Sequence, residues 1–191
     1  MSDESREGRA AAFVSHLRGL ADAEDRGALA ALRRSLQSSS GMAMTACPHV
    51  VPWLRVESSE WEQKCFFLIA ALFALHPEHE DSVSIGHAFR RINDETAEGR
   101  QGGDNESTRA RFVALLDAHA DDVAEHLRHA VSLARSKGVA IDWYRTLRDL
   151  LDWRHESRRV QRRLASEFWR ESAVSRVLRS DSETAESETE R

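Results

Sequence analysis

Apolar residues recur at spacings of three and four along most of the chain, which is the period of an α-helix. Phe13, Leu17 and Leu20 form the first of these stripes. Alternation of apolar and polar residues, which is typical of half-buried strands, is hard to find. The pattern predicts an all-α protein of eight or nine helices, with Asp25 as the N-cap of the second helix and Gly138 as the C-cap of a later one.

One predicted helix is apolar on all of its sides. The run CFFLIAALFAL, residues 65–75, follows a cap at Ser58 or Ser59 and stops near Pro77. It is shorter than the roughly 20 apolar residues that span a bilayer, so we expect it to be the central helix of a bundle. The first residues, MSDESREGRAAAF, contain no apolar signal core. We therefore expect a cytoplasmic protein that has no membrane partner.

Two polar stretches predict boundaries in the chain. Residues 95–108, ETAEGRQGGDNEST, are rich in glycine, charge and amide side chains and are the expected flexible connection. Residues 180–191, SDSETAESETER, carry five acids and almost no apolar residue and are the expected disordered acidic tail. We therefore predict an elongated two-lobe helical bundle, with an N-terminal helical lobe over 1–94 and a C-terminal helical lobe over 109–179.

The net charge of −5 conceals an uneven distribution of charge. The whole chain has 27 basic and 32 acidic residues; without the acidic tail 26 and 27 remain, so the body is near neutral. Residues 154–163, RHESRRVQRR, nevertheless hold five arginines. On a helical wheel these arginines lie opposite four apolar positions, Trp153, Val160, Leu164 and Phe168.

Crowding of arginines on one helix face has an energetic cost. Like charges four residues apart cost a few tenths of a kcal/mol per pair, roughly, and a bound polyanion would remove that cost. A solvated face is the alternative interpretation. Basic pairs on other predicted helices extend the set of possible phosphate contacts. The candidate nucleic-acid-binding residues are Arg33, Arg34, Arg90, Arg91, Arg109, Arg111, Arg128, Arg158, Arg159, Arg162 and Arg163.

The sequence contains no recognised motif of a catalytic or cofactor site. Its nine histidines form no HExxH motif, and the glycine-rich GxxxxGK[ST] and GxGxxG patterns do not occur. His126 and His129 lie one turn apart near Asp122 and Glu125, a pattern that a metal could use, but the ExxH pairs of di-iron bundles are missing. Surface histidines are the favoured interpretation. We expect no enzymatic activity, no metal and no cofactor.

The cysteines and tryptophans also favour structural roles. Cys47 and Cys65 stand 18 positions apart without a CxxC pair, which indicates neither a disulfide framework nor a zinc site. Five tryptophans stand at helical spacing among leucines, which favours core packing over stacking on bases. They are Trp53, Trp61, Trp143, Trp153 and Trp169.

Six stretches occur in an order and at a spacing that carry a family resemblance. They are DRGALAALRRSL (25–36), LIAALFALHP (68–77), SIGHAFRRI (84–92), RFVALLDAHADDVAEHLRHAVSLARSKGVAIDW (111–143), LRDLLDW (147–153) and VQRRLASEFW (160–169). Together they resemble the CasB-type small subunit of the type I-E CRISPR Cascade complex. The resemblance covers about residues 9–170 and leaves out the acidic tail.

This resemblance implies a two-lobe, all-α protein without catalytic activity or cofactor. In that family, two copies of the small subunit lie along the inner side of an RNA-guided surveillance complex, against the backbone subunits, the large subunit and nucleic acid. The implied function is sequence-independent binding of crRNA and target DNA, both single strand and duplex, which stabilises the R-loop and the displaced strand in antiviral defence. The best matches to basic family positions are Arg33, Arg34, Arg109, Arg111, Arg158 and Arg159.

The sequence alone leaves two other functions possible. A helical adaptor would use the arginines to bind acidic protein partners, with no role for nucleic acid. A helical metallohydrolase would use His126, His129 and nearby carboxylates. Salt-dependent binding to nucleic acid would argue against the adaptor, and stoichiometric metal in the purified protein would favour the hydrolase.

Overall fold

The structure, a computed structural model, describes residues 3–38, 41–98 and 102–170, with side chains over 7–38, 41–95 and 106–170. Every regular element in these ranges is helical, so the all-α prediction is confirmed. The nine α-helices there are α1 (Asp3–Asp22), α2 (Arg26–Arg33), α3 (Cys47–Val50), α4 (Glu60–Leu75), α5 (Ile85–Glu98), α6 (Gly102–Asp117), α7 (Val123–Ser136), α8 (Trp143–Leu151) and α9 (159–170). Three short 3-10 turns lie at Arg34–Gln37, Met44–Ala46 and Val51–Trp53.

Side-chain caps fix where several of these helices begin. The carboxylate of Asp25 accepts a hydrogen bond from the Ala28 N–H at 2.9 Å, as the sequence predicts, and Ser59 caps α4 in the same way. Asp142 caps α8. Gly138 follows α7 with a φ of +66°, in the left-handed region that glycine adopts without strain, so the predicted C-cap is confirmed.

Helix α4 is the centre of the bundle. It is buried around its circumference from Cys65 to Ala74, and it packs against α1, α2, α7 and α8. Its end at Leu75, just before Pro77, matches the prediction. Within the described residues no helix is long and apolar enough to cross a membrane.

The predicted connection at 95–108 is mostly helical. Helix α5 continues to Glu98 and α6 begins at Gly102, while residues 99–101 lie outside the described ranges. The described residues on either side are helical because α5 and α6 pack against each other, and tertiary packing outweighs weak helix propensity. The flexibility of this connection stays a prediction. The division into two lobes stays a prediction. Residues 171–179 of the predicted C-terminal lobe and the acidic tail lie outside the described residues.

Side chains from both halves of the sequence belong to one cluster of buried residues. Phe112 of α6 contacts Phe89 of α5, with ring centroids 5.0 Å apart, and Phe168 of α9, at 4.6 Å. Trp143 and Trp153 are buried as predicted. The prediction of core packing is wrong for Trp169, whose ring centroid lies 5.6 Å from that of Phe112 but which keeps 43% of its surface exposed.

Helices α5, α8 and α9 meet at Glu167. One oxygen of its carboxylate accepts hydrogen bonds from Arg145 at 2.5 Å and Arg163 at 2.7 Å, and the other accepts one from the Ser84 hydroxyl at 2.5 Å. Gly86 allows this approach, because a Cβ there would lie only 2.6 Å from the carbonyl oxygen of Leu164. The position of α9, which carries the candidate arginines, is therefore set by a tight contact with α5 and α8.

Candidate nucleic-acid interface

The arginine-rich stretch 154–163 is not one continuous helix. Helix α8 ends at Leu151, a turn follows, and α9 begins at residue 159. Arg158 has a φ of +49°, a conformation that interrupts a right-handed helix. The helical wheel is therefore wrong for Arg154 and Arg158. It holds for the inner side: the four apolar positions predicted to face the core, Trp153, Val160, Leu164 and Phe168, are all buried.

Helix α9 carries a row of arginines on one side. At 100° per residue, Arg159, Arg162, Arg163 and Arg170 fall within about 100° of arc, and we call this set the α9 arginine face. Arg159, Arg162 and Arg170 are exposed, and Arg163 is half-buried at the edge. Sequence reasoning missed Arg170, although its spacing of seven from Arg163 places both on the same side of the helix.

Part of the α9 arginine face borders an open groove of about 640 Å³. Arg159 and Arg163 line this groove together with Arg145 and Arg148 of α8. Sequence reasoning did not place Arg145 and Arg148 in the site, because the approach of α8 to α9 depends on the tertiary fold. The groove brings four guanidinium groups from two helices to one surface.

Each groove arginine has an acidic partner. Arg159 donates to Asp152 at 2.6 Å, Arg148 pairs with Glu7 at 2.5 Å, and Arg145 pairs with Glu167. Arg163 donates to both Asp149 and Glu167. The pairs of Arg148 and Arg159 are well exposed, and such pairs contribute about 0–1 kcal/mol. These two arginines can exchange a carboxylate for a phosphate at small cost.

Asp149 lines the groove beside Arg163. Burial raises its pKa to about 6, although Arg163 beside it acts in the opposite direction. Its Oδ2 atom is buried and has no hydrogen-bond partner. The Asp149 carboxylate is therefore held in place by Arg163 and is poorly compensated in its ionised form.

Several other predicted arginines are held within the fold. Arg91 donates to Glu80 at 2.8 Å, Arg90 donates to the Glu167 carbonyl at 3.2 Å, and Arg109 donates to Asn93 at 3.1 Å. Arg158 donates a hydrogen bond to the Leu116 carbonyl, and its guanidinium nitrogen lies 3.8 Å from a carboxylate oxygen of Asp117. A role for Arg90, Arg91, Arg109 and Arg158 in binding nucleic acid stays a prediction.

Four further candidates are exposed, and no described acid lies within ion-pair distance of them: Arg33, Arg34, Arg111 and Arg128. They lie on different elements. Arg128 lines a second groove of about 590 Å³, together with Lys64, His129 and Glu125. The structure therefore places Arg128 in a different groove from Arg159 and Arg163, and the predicted arginines do not all converge.

Trp61 and the histidine candidates lie apart from the α9 arginine face, whereas the exposed Trp169, seven residues after Arg162, borders it. Arg154 stacks over the Trp61 ring at 4.3 Å from its centroid and lies 3.7 Å from Asp121, which ties the turn before α9 to α4. His126 is half-buried and His129 is exposed. Among the described residues no group of three or more histidine, cysteine or carboxylate side chains is placed to hold a metal.

The sequence also matches a known protein family. The family model for the CRISPR-associated protein Cse2 matches residues 28–169, which include α3 to α8, most of α2 and nearly all of the described α9. The chain belongs to the CRISPR-associated Cse2 family. A Cse2 protein of Thermus thermophilus is 37% identical over 145 residues, which is 74% of this chain and 78% of the relative. The resemblance found from the sequence is confirmed.

Several solved structures share the fold. A crystal structure of a Cse2 family member from Thermus thermophilus has a TM-score of 0.70 at 34% identity and covers 88% of this chain and 99% of its own. The CasB protein of M. ruber has a TM-score of 0.70 at 28% identity, over 89% and 97%. A chain from a CRISPR RNA-guided surveillance complex has a TM-score of 0.72 at 25% identity, over 90% and 98%.

Proposed function

We propose that this chain is the non-catalytic small subunit of an RNA-guided CRISPR Cascade surveillance complex and that it holds nucleic acid by arginine–phosphate contacts. Its partners are crRNA, target DNA, the backbone and large subunits of the complex, and a second copy of itself. Membership of the Cse2 family and a TM-score of 0.72 to a chain of such a complex support the assembly. The α9 arginine face is the observation that carries the nucleic-acid contact.

The chemistry of this face suits binding without base readout. Guanidinium groups bind phosphate oxygens through paired N–H donors, and backbone contacts carry no sequence information. In RNA-guided recognition, base pairing reads the sequence, and opening of the target duplex is nearly balanced in free energy. A few arginine contacts to the hybrid or to the displaced strand are then enough to favour the open R-loop.

The paired arginines of the groove limit how strongly the free subunit binds. A phosphate that approaches Arg159 or Arg148 competes with Asp152 or Glu7 for the guanidinium donors. The exchange replaces one weak pair with another, so each contact adds little affinity by itself. Binding becomes favourable when the complex holds the subunit beside the nucleic acid and so raises the effective concentration.

Duplex opening by the guide-loaded complex tests this function. The complex is assembled with the wild-type subunit, without the subunit, and with Arg159→Gln plus Arg162→Gln. The matched control is Arg18→Gln plus Arg135→Gln, two exposed arginines of α1 and α7 with no acidic partner in the described part of the chain. We expect the α9 variant to open target DNA almost as poorly as the complex that lacks the subunit, with assembly and the control unaffected.

Wild-type opening by the α9 variant would overturn the proposal. The adaptor alternative predicts a different result: the α9 variant would fail to assemble with the other subunits. Gel filtration of the reconstituted complex separates these two outcomes before opening is measured.

A further inference from the structure

The α9 arginine face carries positive charge that the described acids do not neutralise. Arg162 and Arg170 are exposed and have no acidic partner in the described part of the chain. Within residues 159–170 the one acid is Glu167, whose side chain is only 12% exposed and is held by Arg145, Arg163 and Ser84. No described acid pairs with Arg162 or Arg170, so an acidic group that binds them has to come from outside the described residues.

The chain itself supplies such an anion. Residues 180–191 carry five carboxylates and a single arginine. They begin ten positions after Arg170, the last described residue of α9. They also lie beyond residues 28–169, where the family model matches, and the proposed function gives them no role.

We propose that the acidic segment 180–191 docks on the α9 arginine face and competes there with nucleic acid. The docking itself depends on charge complementarity between five carboxylates and the α9 arginine face, above all Arg162 and Arg170, which pair with no described acid. The competition rests on the proposed function, because it requires nucleic acid to bind the same face.

The covalent link permits this contact sterically. Ten residues span up to about 33 Å when extended. The face from Arg159 to Arg170 is about 17 Å long, at 1.5 Å of rise per residue. The segment can therefore turn back from the end of α9 and lie along the whole face.

The competition should be modest and sensitive to salt. A short covalent tether gives an effective concentration on the order of 1 mM. If the free segment bound with a dissociation constant of about 0.1–1 mM, it would weaken nucleic-acid binding by a factor of roughly two to ten. Exposed charges are screened over about 8 Å at physiological ionic strength, so this factor should approach one as salt rises.

Two full-length variants with the same change in net charge test the proposal. The tail-neutral variant carries Asp181→Asn, Glu183→Gln, Glu186→Gln, Glu188→Gln and Glu190→Gln. The body-neutral control carries five amide substitutions at exposed acids distant in sequence from α9, namely Asp22→Asn, Glu24→Gln, Glu57→Gln, Glu60→Gln and Glu78→Gln. Binding to a labelled 20-nucleotide oligothymidylate is measured at low and at physiological salt, and the arginine Nε–H signals are recorded by NMR without nucleic acid.

We expect the tail-neutral variant to bind oligothymidylate roughly two to ten times more tightly than wild type at low salt, and the Arg162 and Arg170 signals to shift. The body-neutral control should leave those signals in place and change affinity less. If both variants gain affinity equally, net charge rather than docking is responsible and the proposal is overturned. Unchanged Arg162 and Arg170 signals in the tail-neutral variant would also overturn it.

The NMR measurement separates this proposal from the proposed function. If the Arg162 and Arg170 signals shift but no variant binds oligothymidylate at any salt concentration, the segment docks and the nucleic-acid function is wrong. If oligothymidylate binds equally well to wild type and to the tail-neutral variant, the proposed function survives and the competition is wrong.

Discussion

The tight contact at Gly86 predicts that alanine at this position destabilises the protein, although helix propensity alone would predict stabilisation. Gly86 is the second residue of α5, where alanine is ordinarily the better helix former. A Cβ there would lie 2.6 Å from the Leu164 carbonyl oxygen and 3.1 Å from the Glu167 Cβ, both closer than ordinary contacts. The change Gly86→Ala therefore adds a methyl group where α5 and α9 meet.

The two effects can be compared in size. Alanine in place of a helical glycine contributes up to about 1 kcal/mol, and less in the first turn. Overpacking a close contact costs about 1–3 kcal/mol, and here the nearest atom is a backbone oxygen that moves only if α9 moves. We expect the free energy of unfolding to fall by about 1–2 kcal/mol, since the clash outweighs the propensity. The melting temperature should fall by about 2–8 °C.

Gly19 supplies the matched control for this comparison. It lies in α1, and a Cβ there would meet no heavy atom within 4 Å. Gly19→Ala should therefore stabilise the protein by roughly 0.5–1 kcal/mol. Urea unfolding followed by far-UV circular dichroism measures both variants. The reasoning is refuted if Gly86→Ala is as stable as wild type, or if Gly19→Ala loses as much stability as Gly86→Ala.

Three further predictions concern the charges around α9. Burial raises the folded-state pKa of Asp149 from 3.8 to about 6, so the free energy of unfolding should fall as pH rises from about 4 to 7. In urea unfolding over that range, wild type should lose roughly 2–3 kcal/mol of unfolding free energy relative to Asp149→Asn. Glu167→Gln removes the charged acceptor of Arg145 and should lower the free energy of unfolding, again measured in urea, by about 1.5–3 kcal/mol. An unchanged value would mean that the contacts of Glu167 between α5, α8 and α9 do not stabilise the fold. Arg162→Gln plus Arg170→Gln should make the plot of log affinity for oligothymidylate against log salt less steep, by about 0.7 in slope per lost phosphate contact. Fluorescence anisotropy measures this slope, and an unchanged slope would argue against contacts at these residues.

The sequence predicted those parts of the fold that depend on local pattern. The central α4 helix, the Asp25 cap and the Gly138 C-cap follow from periodicity and from the capping preferences of single residues. The inward positions of α9 were also predicted, because Val160 and Leu164 keep helical spacing whether or not the helix starts before residue 159.

The candidate site was predicted less completely, since its partners come from distant parts of the sequence. Arg148 pairs with Glu7 of α1, and Arg163 pairs with Asp149 of α8. No spacing rule relates such residues, so the sequence could not assign acidic partners to these arginines. The turn before α9 was missed for a related reason, because the apolar stripe continues across it from Trp153 to Val160.

The central claim is that the α9 arginine face contacts nucleic acid in the assembled complex, and cross-linking tests it most directly. Ser166 lies on this face of α9, between Arg162 and Arg170, and is half-buried. A photoreactive residue at position 166, compared with one at the exposed Glu24 position near α1, would be irradiated in the complex bound to guide and target. The account predicts covalent nucleic acid at position 166 and none at position 24. Cross-links from position 166 to protein alone would contradict it.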